Sequence, residues 1–266
     1  MLQRHRRQRR GRGGIPADGQ PHSRARHRPR RQPALRRYPR GPVHRGERRS
    51  GSASRRQPGR LHGLHQANTF LASGHPAPGA GGPGNRGLIE STDAGKTWKT
   101  RSLAGEADFH ALDYADGTVY GYDSTGGLLR VSKDGTTWEN RARLEALDIA
   151  VNPISPGTVL ATTADGVAKS TDGGKTFTAG KGPVMAFVSW AKPDALYAID
   201  PTGGLNRSTD GGITWKKTAT VPGGQPQALT AVDARRILAA TQDGVYESRD
   251  SGKTFTKRLA VSDSTH

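Results

Sequence analysis

The chain has 266 residues, no cysteine and a formal net charge of +18. Lack of cysteine excludes disulfides and thiolate chemistry, and no run of about 18 apolar residues offers a membrane-spanning helix. The charge is confined to one end: residues 1–66 hold 20 arginines, no lysine and only two acids, Asp18 and Glu47, so the other 200 residues, with 21 basic and 21 acidic groups, are neutral.

Residues 1–66 come first in the chain and read as a disordered arginine-rich segment, too poor in apolar groups to offset chain entropy. They lack the apolar core of a signal peptide. A basic arm of this kind ordinarily contacts nucleic acid, because guanidinium groups neutralise phosphates. Arginine without any lysine points elsewhere, to a GC-rich gene translated out of frame. Nucleic acid is therefore not expected as a partner, except through this tail.

From residue 67 onward β-prone runs and glycine turns alternate without helical periodicity. Paired strands are expected in LASGHPAPGAGGPGNRGLIES (71–91), GYDSTGGLLRVS (121–132), ATTADGVAKS (161–170), YAIDPTGGLNRS (197–208) and AATQDGVYES (239–248). Each pair ends in a short motif: STDAGKTW (91–98), SKDGTTW (132–138), STDGGKTF (170–177), STDGGITW (208–215) and SRDSGKTF (248–255). Apolar runs between motifs and pairs, ALDIAVNP (146–153), MAFVSWAKP (185–193) and ALTAVDA (228–234), suit an innermost strand.

The aspartates of the five motifs, Asp93, Asp134, Asp172, Asp210 and Asp250, stand 41, 38, 38 and 40 residues apart. A period near 40 residues built from short strands predicts an all-β chain folded as a β-propeller of four-stranded blades. Each motif reads as a hairpin clamp. Its aspartate accepts hydrogen bonds from the turn's own N–H groups, as Asp172 would beside Gly174, and glycine supplies the positive φ. The aromatic residue at the end packs between blades. The second motif is one residue shorter between Asp134 and Thr137 and should turn more tightly. Calcium binding is the sharper reading, yet each loop offers one carboxylate where calcium needs several oxygens.

The motifs resemble the Asp-box, or BNR repeat, of sialidases, sortilin-type ectodomains and related bacterial propellers, four of them fitting Ser-x-Asp-x-Gly-x-Thr-Trp/Phe. ASGHP (72–76), GLIESTDAGKTW (87–98) and LAGEADFHAL (103–112) are similar to a bacterial Asp-box family described as glycosylhydrolase-like. Residues 21–45 can be encoded so that a one-base shift reads HIHGLGIDPADNPLYVATHEGLFTV, which resembles the opening of that family. The expectation is five blades in this chain and six in its ancestor, seven being the alternative. Residues 1–66 would be the frameshifted remnant of the missing blade, and 67–266 the propeller. Stop codons in the shifted frame of the gene would end this idea. The resemblance also implies a secreted or cell-envelope protein whose leader is lost.

Three functions follow from the resemblance and the residues. The first is a propeller that presents its central face to a glycan, peptide or protein partner, without a cofactor. The second is an exo-sialidase-like glycoside hydrolase, a chemistry that needs three arginines for a carboxylate, a tyrosine–glutamate pair and an aspartate. Its Arg-Ile-Pro motif is missing; Arg101, Arg130, Arg207, Arg249 and Arg258 lie beside boxes, and Arg235 and Arg236 in a polar turn, where solvated roles are expected. Tyr120, Tyr122, Tyr197 and Tyr246 read as strand residues packing between blades. No catalytic residue is assigned. The third is a transition-metal site in which His75 and His110 act with Asp108 or Glu106 as the carboxylate; in the simpler reading His75 sits in a turn and His110 at a strand end.

Overall fold

In the computed structural model the described residues are 61–66, 69–77, 79, 81–180 and 182–261. Most of the arginine-rich segment, with its expected disorder and its out-of-frame reading, lies outside them. The described secondary structure is all strand, in five antiparallel sheets that follow one another along the chain. Blade 1 contains β1 (Leu61–Gln66), β2 (Thr69–Ala72), β3 (Leu88–Ser91) and β4 (Lys99–Ser102), so its first strand lies within residues 1–66. Blade 2 contains β5 (Phe109–Ala115), β6 (Thr118–Asp123), β7 (Leu128–Ser132) and β8 (Glu139–Arg143). In blade 3, β9 (Asp148–Val151), β10 (Val159–Thr163) and β11 (Gly166–Ser170) are followed by a single bridge between Lys169 and Thr178. Blade 4 has β12 (Phe187–Trp190), β13 (Leu196–Ile199), β14 (Gly204–Ser208) and β15 (Lys216–Thr220); blade 5 has β16 (Pro226–Ala231), β17 (Ile237–Thr241), β18 (Gly244–Ser248) and β19 (Thr256–Ala260).

The expected four-stranded blade is thus complete in four cases and shortened in blade 3. The cause is local. After Phe177 the sequence runs TAGKGP, and glycine and proline cannot sustain an outer strand. Gly180 also approaches the Val167 backbone so closely that a β-carbon would overlap it.

Strand alternation gives each sheet two apolar faces, and neighbouring sheets stack through them. Leu71 and Leu88 of blade 1 meet Phe109, Leu112 and Val119 of blade 2. Tyr120, Tyr122 and Leu129 meet Ile149, Val151 and Val159 of blade 3, whose opposite face brings Leu160 and Val167 against Val188, Trp190 and Leu196 of blade 4. Tyr197, Ile199 and Leu205 then meet Leu229, Ile237 and Tyr246 of blade 5. The tyrosines pack between blades as expected, and their hydroxyls bond carbonyl or carboxylate oxygens: Tyr120 to Pro156, Tyr197 to Ala234, Tyr246 to Asp243.

The innermost strands β1, β5, β9, β12 and β16 are sheet edges, whose free N–H groups need partners. A side chain of the preceding blade takes one such N–H at each junction. Ser73 Oγ accepts from Phe109 (3.2 Å), Asp113 Oδ2 from Val151 (2.7 Å), Asp148 Oδ2 from Val188 (3.0 Å) and Ser189 Oγ from Ala231 (3.0 Å).

The boxes fold as clamps. In four of them the serine hydroxyl donates to the aspartate and accepts the glycine N–H four residues on, as Ser170 does with Asp172 (2.7 Å) and Gly174 (2.8 Å). The aspartate accepts the threonine N–H and hydroxyl, from Thr176 at 3.0 and 2.7 Å. In the second box Ser132 reaches Gly135 only three residues on, and Asp134 Oδ1 gathers the N–H groups of Thr136 and Thr137, both at 2.7 Å. The turn is tighter, as its length requires.

Each box from the second onward also grips the blade before it. Its aromatic ring is half-buried against the junction core: Trp138, Phe177, Trp215 and Phe255 in turn. The glycines Gly135, Gly174, Gly212 and Gly252 abut Leu88, Leu129, Leu160 and Leu205, leaving no room for a larger residue at the last three. A basic side chain of the preceding blade closes the contact on a box carbonyl: Arg101 on Asp134, Arg141 on Gly173, Lys169 on Gly211.

Candidate functional site

Because the strands are antiparallel, the boxes, which join third to fourth strands, gather at one end of the blades. The turns between second and third strands, and the connections to the next inner strand, gather at the other. His75 follows β2, while Asp108 and His110 stand at the start of β5; all three belong to this second, loop end.

The three candidate metal residues do come together. His110 Nε2 lies 2.9 Å from Asp108 Oδ2, and His75 Nε2 lies 3.5 Å from the same oxygen. The Asp108 side chain is 12% exposed against 59% and 49% for the two imidazoles, so a shielded carboxylate sits between two open rings. The His75 Nδ1 is 2.9 Å from the Gly84 carbonyl, which can only accept, so this nitrogen carries the proton and Nε2 faces Asp108. Among the described residues no group of three or more His, Cys, Asp or Glu is arranged to hold a metal ion.

Asp108 is held from behind by Asp123 and Ser124, which were not singled out in the sequence, and by Arg130, which is not solvated as expected but lies 18% exposed in an ion pair with the buried Asp123. Asp123, fully buried, accepts the Asp108 N–H (3.1 Å) and the Thr125 N–H (3.1 Å) on Oδ1, and Arg130 Nε and Nη2 (both 2.9 Å) on Oδ2. Ser124 caps the loop, its N–H on the Asp108 carbonyl (2.9 Å) and its hydroxyl 3.3 Å from Asp108 Oδ2. A signal for Asp123 exists in the sequence. YDSTGGLLR (122–130) and IDPTGGLNR (199–207) share one pattern, and Asp200 caps its own turn through Thr202 (2.8 Å) and Gly204 (2.9 Å).

The other arginines are engaged in the framework. Arg207 reaches the Asp194 carbonyl (2.8 Å), Arg143 the Gly126 carbonyl (2.6 Å), and Arg236, Arg249 and Arg258 ring Glu247 at 2.7, 3.1 and 2.8 Å. The guanidinium of Arg249, with those of Arg236 and Arg258, holds the Glu247 carboxyl down at about 2 against the opposing effect of burial. A cleft of about 240 Å³ opens between blades 1 and 2 near Glu90, Arg101 and Asp134. It is smaller than the ~300 Å³ at which ligand pockets begin and lies at the box end.

A family model of the BNR/Asp-box repeat matches residues 207–217, the fourth box. No curated protein matches the chain. Among solved structures, the GH74 enzyme of Niastella koreensis is similar over 74% of this chain and 30% of its own, at 16% identity and a TM-score of 0.50. YCF48 bound to D1 peptide is similar over 76% of this chain and 82% of its own, at 13% identity and a TM-score of 0.48. YCF48 from Cyanidioschyzon merolae is similar over 79% and 88%, at 14% identity and 0.47. At 16% identity the likeness to the GH74 enzyme is one of fold alone. The chain is a β-propeller whose fourth turn motif matches the BNR/Asp-box repeat.

Proposed function

We propose that this propeller is a recognition module that takes a glycan, peptide or protein partner on its loop end, with His75, Asp108 and His110 as the polar contact. One observation carries the reading: a shielded carboxylate, fixed from behind by Asp123 and Arg130, lies between two half-exposed imidazoles. Such a cluster offers both donors and an acceptor without having to be assembled on binding, which lowers the ordering cost. Its place of work is the cell envelope or the medium outside it, in keeping with the family resembled.

Glycan and peptide arrays probed with the full chain test the proposal. Binding to one class, reduced at least tenfold by His75→Ala with His110→Ala, is expected. Hydrolysis of a fluorogenic sialoside by the same preparation would overturn it in favour of a glycosidase.

A second reading takes the same cluster as a transition-metal site, favoured by the two imidazoles that converge on Asp108. Elemental analysis after zinc or copper loading separates the two. Stoichiometric metal that disappears in the double histidine variant supports the site, and metal-free protein removes it.

A further inference from the structure

Four junctions between blades repeat one recipe, an apolar face from the earlier blade against a box glycine and box ring from the later one, and at three of them a basic side chain of the earlier blade also closes on a box carbonyl. Among the described residues both halves of a fifth junction are present without partners. The ring of the first box, Trp98, packs on none of the four junction cores and bonds only its own Gly95 carbonyl (3.2 Å). Around Gly95 the nearest side chains are Trp98 and Phe70 of the same blade, whereas Gly174, Gly212 and Gly252 each press on a leucine of the blade before.

The outward face of blade 5 is the other half. By register Leu238 and Ala240 of β17 occupy the places of Leu160 and Thr162 of β10. The β10 pair is fully buried against blade 4; Leu238 and Ala240 are only partly covered, and Thr230 beside them is exposed. Val245 pairs with Leu259, which is 65% exposed, so apolar surface crosses the sheet from β17 to β19. At the box end of this face stand Arg236, Arg249 and Arg258. Each meets Glu247 through Nε, leaving terminal nitrogens to reach a carbonyl as Arg141 does on Gly173.

We infer that the outward face of blade 5 docks the first-box face of blade 1 from a second copy of this chain, head to tail. The occupant follows from complementarity with the four internal junctions. A face with leucine, valine and surplus arginine donors fits an Asp-box edge whose glycine meets no residue of another blade and whose half-buried Trp98 packs on none of the four junction cores. Such a contact is heterologous, so it propagates beyond a dimer unless it closes. The described propeller contributes no net charge to oppose it, and moderate salt screens the repulsion between arginine-rich segments.

Two exposed substitutions test the contact in the full chain. Leu259→Arg blocks the blade 5 face, and Ala94→Arg sets a cation on the first box opposite the three arginines. In sedimentation velocity at moderate salt, the wild type is expected to associate with rising concentration and each variant alone to sediment as a monomer. An equimolar mixture of the two should form a species of two chains and no larger, because each retains the half that the other lacks. A monomeric wild type would overturn the inference, whether blade 5 is closed by blade 1 of its own chain or covered by residues 1–60. So would association insensitive to both substitutions, which is nonspecific aggregation, or a mixture that stays monomeric, which places the contact face to face.

Discussion

Asp123 is the residue on which the candidate site rests. It is completely buried, bears the Asp108 and Thr125 N–H groups on one oxygen and Arg130 on the other, and would leave an uncompensated guanidinium if truncated. Asp123→Ala is expected to cost about 3–5 kcal/mol, the scale for breaking a buried ion pair, as read from urea denaturation. Any partner binding at His75 and His110 should weaken with it even where the variant remains folded. The glycines permit a finer comparison. Gly95 and Gly174 share a left-handed backbone (φ of +84° and +87°), but only Gly174 abuts a leucine of another blade. Gly174→Ala should therefore destabilise by about 1–3 kcal/mol more than Gly95→Ala, the cost of overpacking beyond shared backbone strain, measured side by side in urea.

At the scale of the element, the box couples folding to pH. Bonds from the Thr97 N–H and hydroxyl hold the Asp93 carboxyl down at about 2, and the Thr214 hydroxyl and N–H do the same for Asp210. Asp134, Asp172 and Asp250 are lowered in the same way. A carboxyl with a folded pKa below its unfolded value stabilises above about pH 4 and loses that contribution as pH falls through the folded pKa. The melting temperature should thus drop steeply between about pH 4 and 2, measured by circular dichroism. The clamp residue Asp113 has the opposite sign. Burial pushes its carboxyl up to about 6, against the N–H donors of Val151 and Tyr114. Its charge is disfavoured in the fold above pH 6, and protonation between about pH 6 and 4 relieves up to ~3 kcal/mol. Asp113→Asn keeps an oxygen for Val151 and should remove that rise in stability.

The box was legible as a clamp because its partners lie within a few residues of one another. Asp172, Gly174 and Thr176 could be assigned their roles from turn chemistry alone. The grip of each box on the preceding blade was not legible, since Leu129 and Gly174 meet through a stacking of sheets that local sequence does not encode. The same division holds at the candidate site. His75, Asp108 and His110 were found as polar residues beside inner strands, but Asp123 and Arg130, which support them, are joined to that site only by the pairing of β5 with β6 and β6 with β7. The outer strand of blade 3 was expected from the repeat and replaced by one bridge, because its own glycines and proline outweighed the period.

Across the whole molecule, five similar blades stack so that each buries its faces mainly against adjacent blades, the arrangement of a quasi-one-dimensional array. Stability should then be greatest where both faces are covered. Amide hydrogen exchange is expected to be slowest in β10, whose Val159, Leu160 and Ala161 are fully buried, and faster in β17, where alternate side chains are partly open. Equal protection of the two strands would show that the open face is covered in solution. Leu160→Ala, at a fully buried position, should cost about 2–5 kcal/mol, whereas Leu238→Ala at the matching position should cost less than half as much; parallel urea titrations decide it.

The side-chain clamps on the inner strands all run one way. At every junction the oxygen belongs to the blade nearer the N-terminus and the N–H to the blade that follows it. During synthesis a newly emerged blade therefore meets an acceptor that already exists, and growth of the stack has a built-in direction. Trimming whole blades from the C-terminal end leaves every remaining clamp made. Trimming from the other end strands an amide at once, so the two ends of this molecule are not equally dispensable.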